Sequence, residues 1–143
     1  MPPAARLGLS GACDLRVIDL GLQWLDQNAG TLVVRVSMAS LLEPDFIADA
    51  CNLLAASGSA ARLAIELDAH VLVALPKEAE AFCAQAQACG TAIGMRRFAE
   101  QPSALLAIHR INLSYLKLGG ELVVNMLACP GGQQLMVAIT DIA

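Results

Sequence analysis

Five charged residues stand where apolar, strand-like runs end, and they are the positions at which this sequence could do chemistry: Arg35, Glu66, Arg96, Arg97 and Lys117. Three guanidinium groups brought together could hold a phosphate, because each pairs with an anion's oxygens two at a time. The same arginines could instead pair internally with Glu66, Asp68 or Glu100. Glu66 and Lys117 leave two readings open as well, an internal ion pair or part of a ligand site. His70 and His109 have no partner at metal spacing and read as structural or surface residues. Ser37 and Ser40 lack a Gly-x-Ser-x-Gly setting, so no nucleophile triad can be assembled.

These residues must be positioned by the elements around them. The stretch Gly90 to Leu118, GTAIGMRRFAEQPSALLAIHRINLSYLKL, reads as a strand at Thr91–Met95, a loop, a short helix opened by Pro102 and Ser103, and a strand at Leu113–Leu118. A helix between two strands excludes a tight hairpin and favours a parallel pair with a right-handed crossover. Upstream, Asp14 to Gln27 places Val17, Ile18, Leu22 and Leu25 on one helical face, with Leu20 and Trp24 flanking it. Leu32 to Ser37 is β-branched and bounded by Gly30, which predicts a buried strand. Pro44 and Asp45 open a helix that ends at Ser57 and Gly58. Arg62 to Leu67 is strand-like, Pro76 to Cys89 helical, and Gly131 to Ala143 a last helix. Strands and helices alternating in this way predict an α/β fold with a parallel sheet, doubly wound or a barrel, with strands covered on both faces. No P-loop or G-x-G-x-x-G follows any strand.

Composition sets bounds on partners. A chain of 143 residues supports one domain; 57% of it is hydrophobic and only 3% aromatic, so Ala, Leu, Val and Ile must build the core, with Met38, Met95, Met126 and Met136 as filler. A net charge of −4 argues against nucleic-acid binding, which needs a basic field. No apolar run approaches the roughly 20 residues that span a bilayer. The five cysteines, at 13, 51, 83, 89 and 129, show no C-x-x-C pair and read as isolated buried thiols. No signal-peptide pattern opens the chain, so a cytoplasmic protein is expected.

At the strand ends the sequence resembles the EAL domains, which hydrolyse the bacterial second messenger cyclic-di-GMP. AARLGLSGACDLRVIDLGL is similar to the family's first helix, and VVRVSMASLLEPDFI to its V-N-x-S strand and following helix. ARLAIELDAHVL resembles the E-x-T-E strand, CGTAIGMRRFAEQPSAL the strand ending in D-D-F-G, and LSYLKLGGEL the Y-x-K-x-D strand. The resemblance implies a partial TIM-type (β/α) barrel of about four parallel strands alternating with helices, an incomplete EAL-like domain over 1–143. A whole barrel takes roughly 250 residues.

The family's hydrolysis uses Mg2+ or Mn2+, held by carboxylate and amide oxygens. Position by position, the resemblance implies that this set is lost. Arg35 stands at the Asn of V-N-x-S, Asp68 and Ala69 at the Thr and second Glu of E-x-T-E, and Arg96 and Arg97 at the two aspartates of D-D-F-G. Ala99 and Gly119 replace that motif's glycine and the Asp of Y-x-K-x-D. Glu66, the one surviving candidate metal ligand, and Lys117 match the family. Two permanent cations in place of two metal-binding anions reverse the local field. The expectation is therefore a catalytically inactive EAL module, nearest to the LapD-type receptors, with no catalytic residue, no metal and no other cofactor. Arg35, Glu66, Arg96, Arg97 and Lys117 remain as a residual ligand site for cyclic-di-GMP. Self-association or a protein partner is expected as well, because a half barrel leaves apolar strand edges unpaired. The LapD-type class also implies that the chain could be the cytoplasmic part of a membrane-tethered receptor. The competing reading is a fragment of an active phosphodiesterase.

Overall fold

The structure, a computed structural model, describes residues 9–97, 111 and 113–117. The helices expected after Pro102 and from Gly131 to Ala143, and with them His109, Glu100, Ala99, Gly119, Cys129, Met126 and Met136, lie outside the described residues.

The chain opens with helix α1, Ser10–Gln27. Strand β1, Leu32–Arg35, follows, then α2, Met38–Leu41, and α3, Phe46–Ala56. A single 3-10 turn at Ala60–Arg62 leads into β2, Leu63–Asp68. Next come α4, His70–Ala74, α5, Pro76–Ala88, and β3, Ala92–Arg96. Strand β4, Tyr115–Leu116, is the last strand among the described residues. All pairings are parallel, in the order β1-β2-β3-β4. The α/β alternation and the parallel sheet of four strands are those expected from the sequence.

Register sorts the sheet into two unlike faces, because side chains alternate along a strand and parallel partners point the same way. One face carries Val34, Ile65 and Ile93, with Leu67 paired to Met95, all buried against the helices. This is the core, which also takes Ile18, Leu22 and Leu25 of α1, Leu54 of α3 and Phe82 of α5. Phe46 and Phe82, with ring centroids 6.1 Å apart, join α3 to α5. The other face starts from small or half-open positions, Val33, Ala64 and Ala92, and becomes charged toward the strands' C-terminal ends.

Three sequence expectations need correction. Val17, expected on the core face of α1, is 44% exposed, because the helix's apolar arc is wider than the surface it buries. β1 is not covered on both faces: Val33 is 48% exposed and Arg35 is exposed too, β1 being at the edge of the sheet among the described residues. Cys13 is not a buried thiol but an exposed one, while Cys83 is buried and Cys51 and Cys89 lie between. Burial lifts the Cys83 thiol to about 12. Burial and the neighbouring Cys89 lift Cys51 to about 11. Among the described residues no helix is long and apolar enough to cross a membrane.

The ends of α1 are held from outside the helix. No side chain of its own caps the N-terminus, and Glu43 instead accepts a hydrogen bond from the Gly11 N–H at 3.0 Å. Negative charge at that end also complements the helix dipole. At the far end Arg62 donates to the carbonyls of Leu25, Asn28 and Gly30 at 2.5, 2.8 and 3.1 Å, so one guanidinium ties α1 to the start of β2. Arg62→Ala therefore lowers the unfolding free energy by about 2 kcal/mol, the size of a lost charge-assisted bond. Arg62→Lys recovers less than half of it in urea denaturation, since an ammonium cannot span three carbonyls.

Candidate functional site

All five sequence-predicted site residues stand at the C-terminal ends of the parallel strands, the rim where such folds place their chemistry. Arg35 ends β1, Glu66 lies near the end of β2, Arg96 ends β3, and Arg97 and Lys117 directly follow β3 and β4. Cα register aligns Arg35 with Glu66, Glu66 with Gly94 and Gly94 with Tyr115. Four strands therefore put one row of residues at the same height on the same face.

Glu66 is the centre of that row. Its side chain is 1% exposed, and a buried carboxylate must be compensated. Lys117 Nζ lies 2.8 Å from its Oε2, and the Tyr115 hydroxyl donates to the same oxygen at 2.7 Å. Oε1 is buried and has no hydrogen-bond partner. Burial alone would push the carboxyl up. The bonds from Lys117 and Tyr115 and the charges of Lys117 and Arg35 outweigh it and hold Glu66 below the usual carboxylate range. Burial and the bond to Glu66 push the Tyr115 phenol upward in turn.

Tyr115 reaches Glu66 only because Gly94 lies between them. A Cβ on Gly94 would come within 2.2 Å of the Tyr115 ring. The ring crosses β3 over that glycine and joins β4 to β2, which are not neighbours in the sheet.

The other charges form a second group. Arg96 Nη1 lies 3.1 Å from Asp68 Oδ1 in ion-pair contact, without the alignment of a hydrogen bond. Arg97 Nη1 lies 4.0 Å from Oδ2 of the same aspartate. Arg97 holds a left-handed backbone, φ 59°, which turns the chain sharply off the end of β3. Asp14 on α1 takes hydrogen bonds from the Ser37 N–H, the Ser37 hydroxyl and the Ser40 hydroxyl at 2.9, 3.0 and 2.5 Å. These serines are thus held by a helix carboxylate. Exposed His70 places its Nε2 3.2 Å from Met38 Sδ, at the surface beside α2.

Arg35, Asp14, Glu66, Asp68 and Arg96 line one pocket of about 230 Å3 with Val36 and Ser37. It is large enough for a phosphate or a single nucleobase. The donor set does not fit a divalent cation. One Glu66 oxygen is taken by an ammonium and a phenol, Asp68 by two guanidinium groups, and Asp14 by three donors. Among the described residues no three His, Cys, Asp or Glu side chains are grouped to hold a metal ion.

Sequence reasoning did not find Asp14 or the role of Gly94. Tyr115 was missed as well, although its two-residue spacing from Lys117 puts both on one face of the strand. Nothing in the spacing marked Asp14, which reaches the rim from a helix.

A family model described as EAL domain matches residues 1–143. No curated protein matches. Among solved structures, the Vibrio cholerae LapD S helix-GGDEF-EAL bound to c-di-GMP superposes with a TM-score of 0.80, at 20% identity, over 97% of this chain and 34% of that one. Its apo form gives 0.75 at 24% identity, over 80% of this chain and 29% of that one. The Xanthomonas citri FimX EAL domain in complex with c-diGMP gives 0.76 at 19% identity, over 96% of this chain and 57% of that one. At these identities the likeness is one of fold, the partial TIM-type barrel expected from the sequence. The chain spans about a third of the LapD structures and a little over half of the FimX domain.

The Glu66–Tyr115 pair fixes a pH window. A carboxyl lowered by folding adds stability above its unfolded value near 4.3, and loses it as pH falls through the folded value. A phenol raised by folding adds stability below about 10 and loses it as pH rises further. The stability gap between the wild type and Glu66→Gln therefore narrows steadily below about pH 4, and a gap constant down to pH 2 would contradict this assignment. Gly94→Ala forces the Tyr115 ring off Glu66 and lowers stability by about 1–3 kcal/mol, the range for overpacking. Calorimetric unfolding measures both.

Proposed function

Taking as premise that this chain belongs to the EAL domain family, we propose that it is a non-hydrolytic module of cyclic-di-GMP signalling that acts by binding in the cytoplasm without a metal cofactor. The observation that carries this reading is the pairing of the two strand-end carboxylates among the described residues, Glu66 and Asp68, with cations of the chain itself. Glu66 is paired with Lys117, and Asp68 is bracketed by Arg96 and Arg97. Metal-assisted hydrolysis needs such oxygens free to lower the pKa of a bound water. Here Glu66 Oε2 and both oxygens of Asp68 face cations of the chain, and Arg96 and Arg97 stand where the family's motif has two aspartates.

The ligand we assign is cyclic-di-GMP, the molecule bound in the LapD and FimX structures of the same fold. Arg35 is the natural contact for one of its phosphates. It is exposed, lines the pocket and is aligned with a carboxylate whose oxygen is already engaged. Guanidinium recognition of phosphate is bidentate and needs no metal.

Isothermal titration of this chain with cyclic-di-GMP, with and without Mg2+, tests the reading. Saturable binding of equal strength in both conditions, weakened at least tenfold by Arg35→Ala and accompanied by no linear product, is expected. Metal-dependent cleavage would overturn it in favour of an active phosphodiesterase. The double variant Arg96→Asp, Arg97→Asp is expected to stay inactive with Mg2+, because Lys117 and Tyr115 still occupy Glu66.

A further inference from the structure

Helices α3 and α5, joined through Phe46 and Phe82, also bring two thiols together. Cys51 lies midway along α3 and Cys89 caps the C-terminus of α5, both free and both half-buried. The Cys89 S–H donates to the carbonyl oxygen of Cys51 itself, at 3.8 Å. With that contact, standard bond lengths hold the two Cα atoms within about 9 Å along a straight path, and closer along any bent one. The interval a disulfide spans, about 4.4–6.8 Å between Cα atoms, lies inside that limit.

Both backbones are held in place. Cys51 is inside a helix, while the N–H groups of Cys89, Gly90 and Thr91 bond back to the carbonyls of Ala86, Gln87 and Ala86 at 3.1, 2.9 and 3.2 Å. Gly90, at φ 92°, supplies the left-handed turn that this closure needs. The sulfurs therefore meet by side-chain rotation rather than by refolding. The other described thiols are placed differently: Cys83 is closed to solution in the core, and Cys13 stands exposed on α1. We propose that Cys51 and Cys89 are a dithiol pair that a low-molecular-weight disulfide converts reversibly to an intramolecular disulfide.

The exchange balances without any other reactant. Cys89 attacks the small disulfide as its thiolate, forming a mixed disulfide and releasing one small thiol; Cys51 then attacks the Cys89 sulfur and releases the second. Two protein thiols are oxidised to one disulfide, and one small disulfide is reduced to two thiols. Cys89 goes first because burial and Cys89 itself hold the Cys51 thiol protonated, pushed up to about 11. In a reducing compartment the pair stays a dithiol until oxidant rises. Once made, the bond ties α3 to the end of α5 and encloses β2 and α4, a long loop whose closure restricts the unfolded chain.

Incubating the wild type with glutathione disulfide, then digesting with trypsin without reduction, tests this. Mass spectrometry is expected to find the peptide 36–62 linked to 78–96 through Cys51 and Cys89, in a chain of monomeric mass. The melting temperature rises by about 5–10 °C and returns with dithiothreitol. Cys83→Ser leaves link and rise intact, whereas Cys51→Ser and Cys89→Ser each abolish both, and Cys51→Ser keeps a glutathione adduct on Cys89, the trapped first step. The linkage map is made on the wild type and so does not depend on any variant folding. Glutathione adducts at 51 and 89 without a link between them, a melting-temperature rise that survives Cys89→Ser, or two thiols that stay reduced when Cys13 is fully modified would each overturn the proposal.

Discussion

A buried carboxylate has to be compensated from somewhere, and Glu66 sets what surrounds it. Its 1% exposure would raise its pKa and favour the neutral acid if nothing answered its charge. The answer comes from β4, two residues long, which delivers a phenol and an ammonium to one oxygen. Gly94 is fixed by the same demand, since any side chain there would stop the Tyr115 ring from crossing β3. Arg35 on β1 adds its charge from the other side. One ionised group therefore ties together Arg35 of β1, Gly94 of β3, and Tyr115 and Lys117 at the end of β4.

Much of this was legible in the sequence, and what was not has physical reasons. Helices α3 and α5 were bounded by Pro44, Gly58 and Pro76, residues that act locally on the backbone. Helices α2 and α4, of four and five residues, are too short to show a period and went unseen. The run LVVRVS reads as buried on both faces only if Arg35 in its middle is passed over, since a charge there marks an alternating strand. Periodicity gave the centre of the α1 core face but not its width, which depends on how much sheet lies beneath, and so Val17 was misplaced. At the rim, the charges at strand ends were readable one by one. That Asp68 would engage both Arg96 and Arg97, and that Asp14 would come across from α1 to hold Ser37 and Ser40, depends on register and crossover geometry that no local pattern contains.

The arginines of the rim also bear on the local field. Asp68 lies two residues beyond Glu66 on the same strand and the same face, and two like charges so placed raise each other's cost unless each is answered. Arg96 and Arg97 answer Asp68 by direct contact, as Lys117 and Tyr115 answer Glu66. These two carboxylates are thus balanced by side chains of the chain itself.

The ring of Tyr115 lying across Gly94 has a dynamic consequence. Because β4 is bonded to β2 over the top of β3, the short strand cannot peel away without exposing the Glu66 charge. The edge of the sheet and the rim therefore open as one cooperative unit, and amide exchange at Lys117 reports on the state of a carboxylate two strands away.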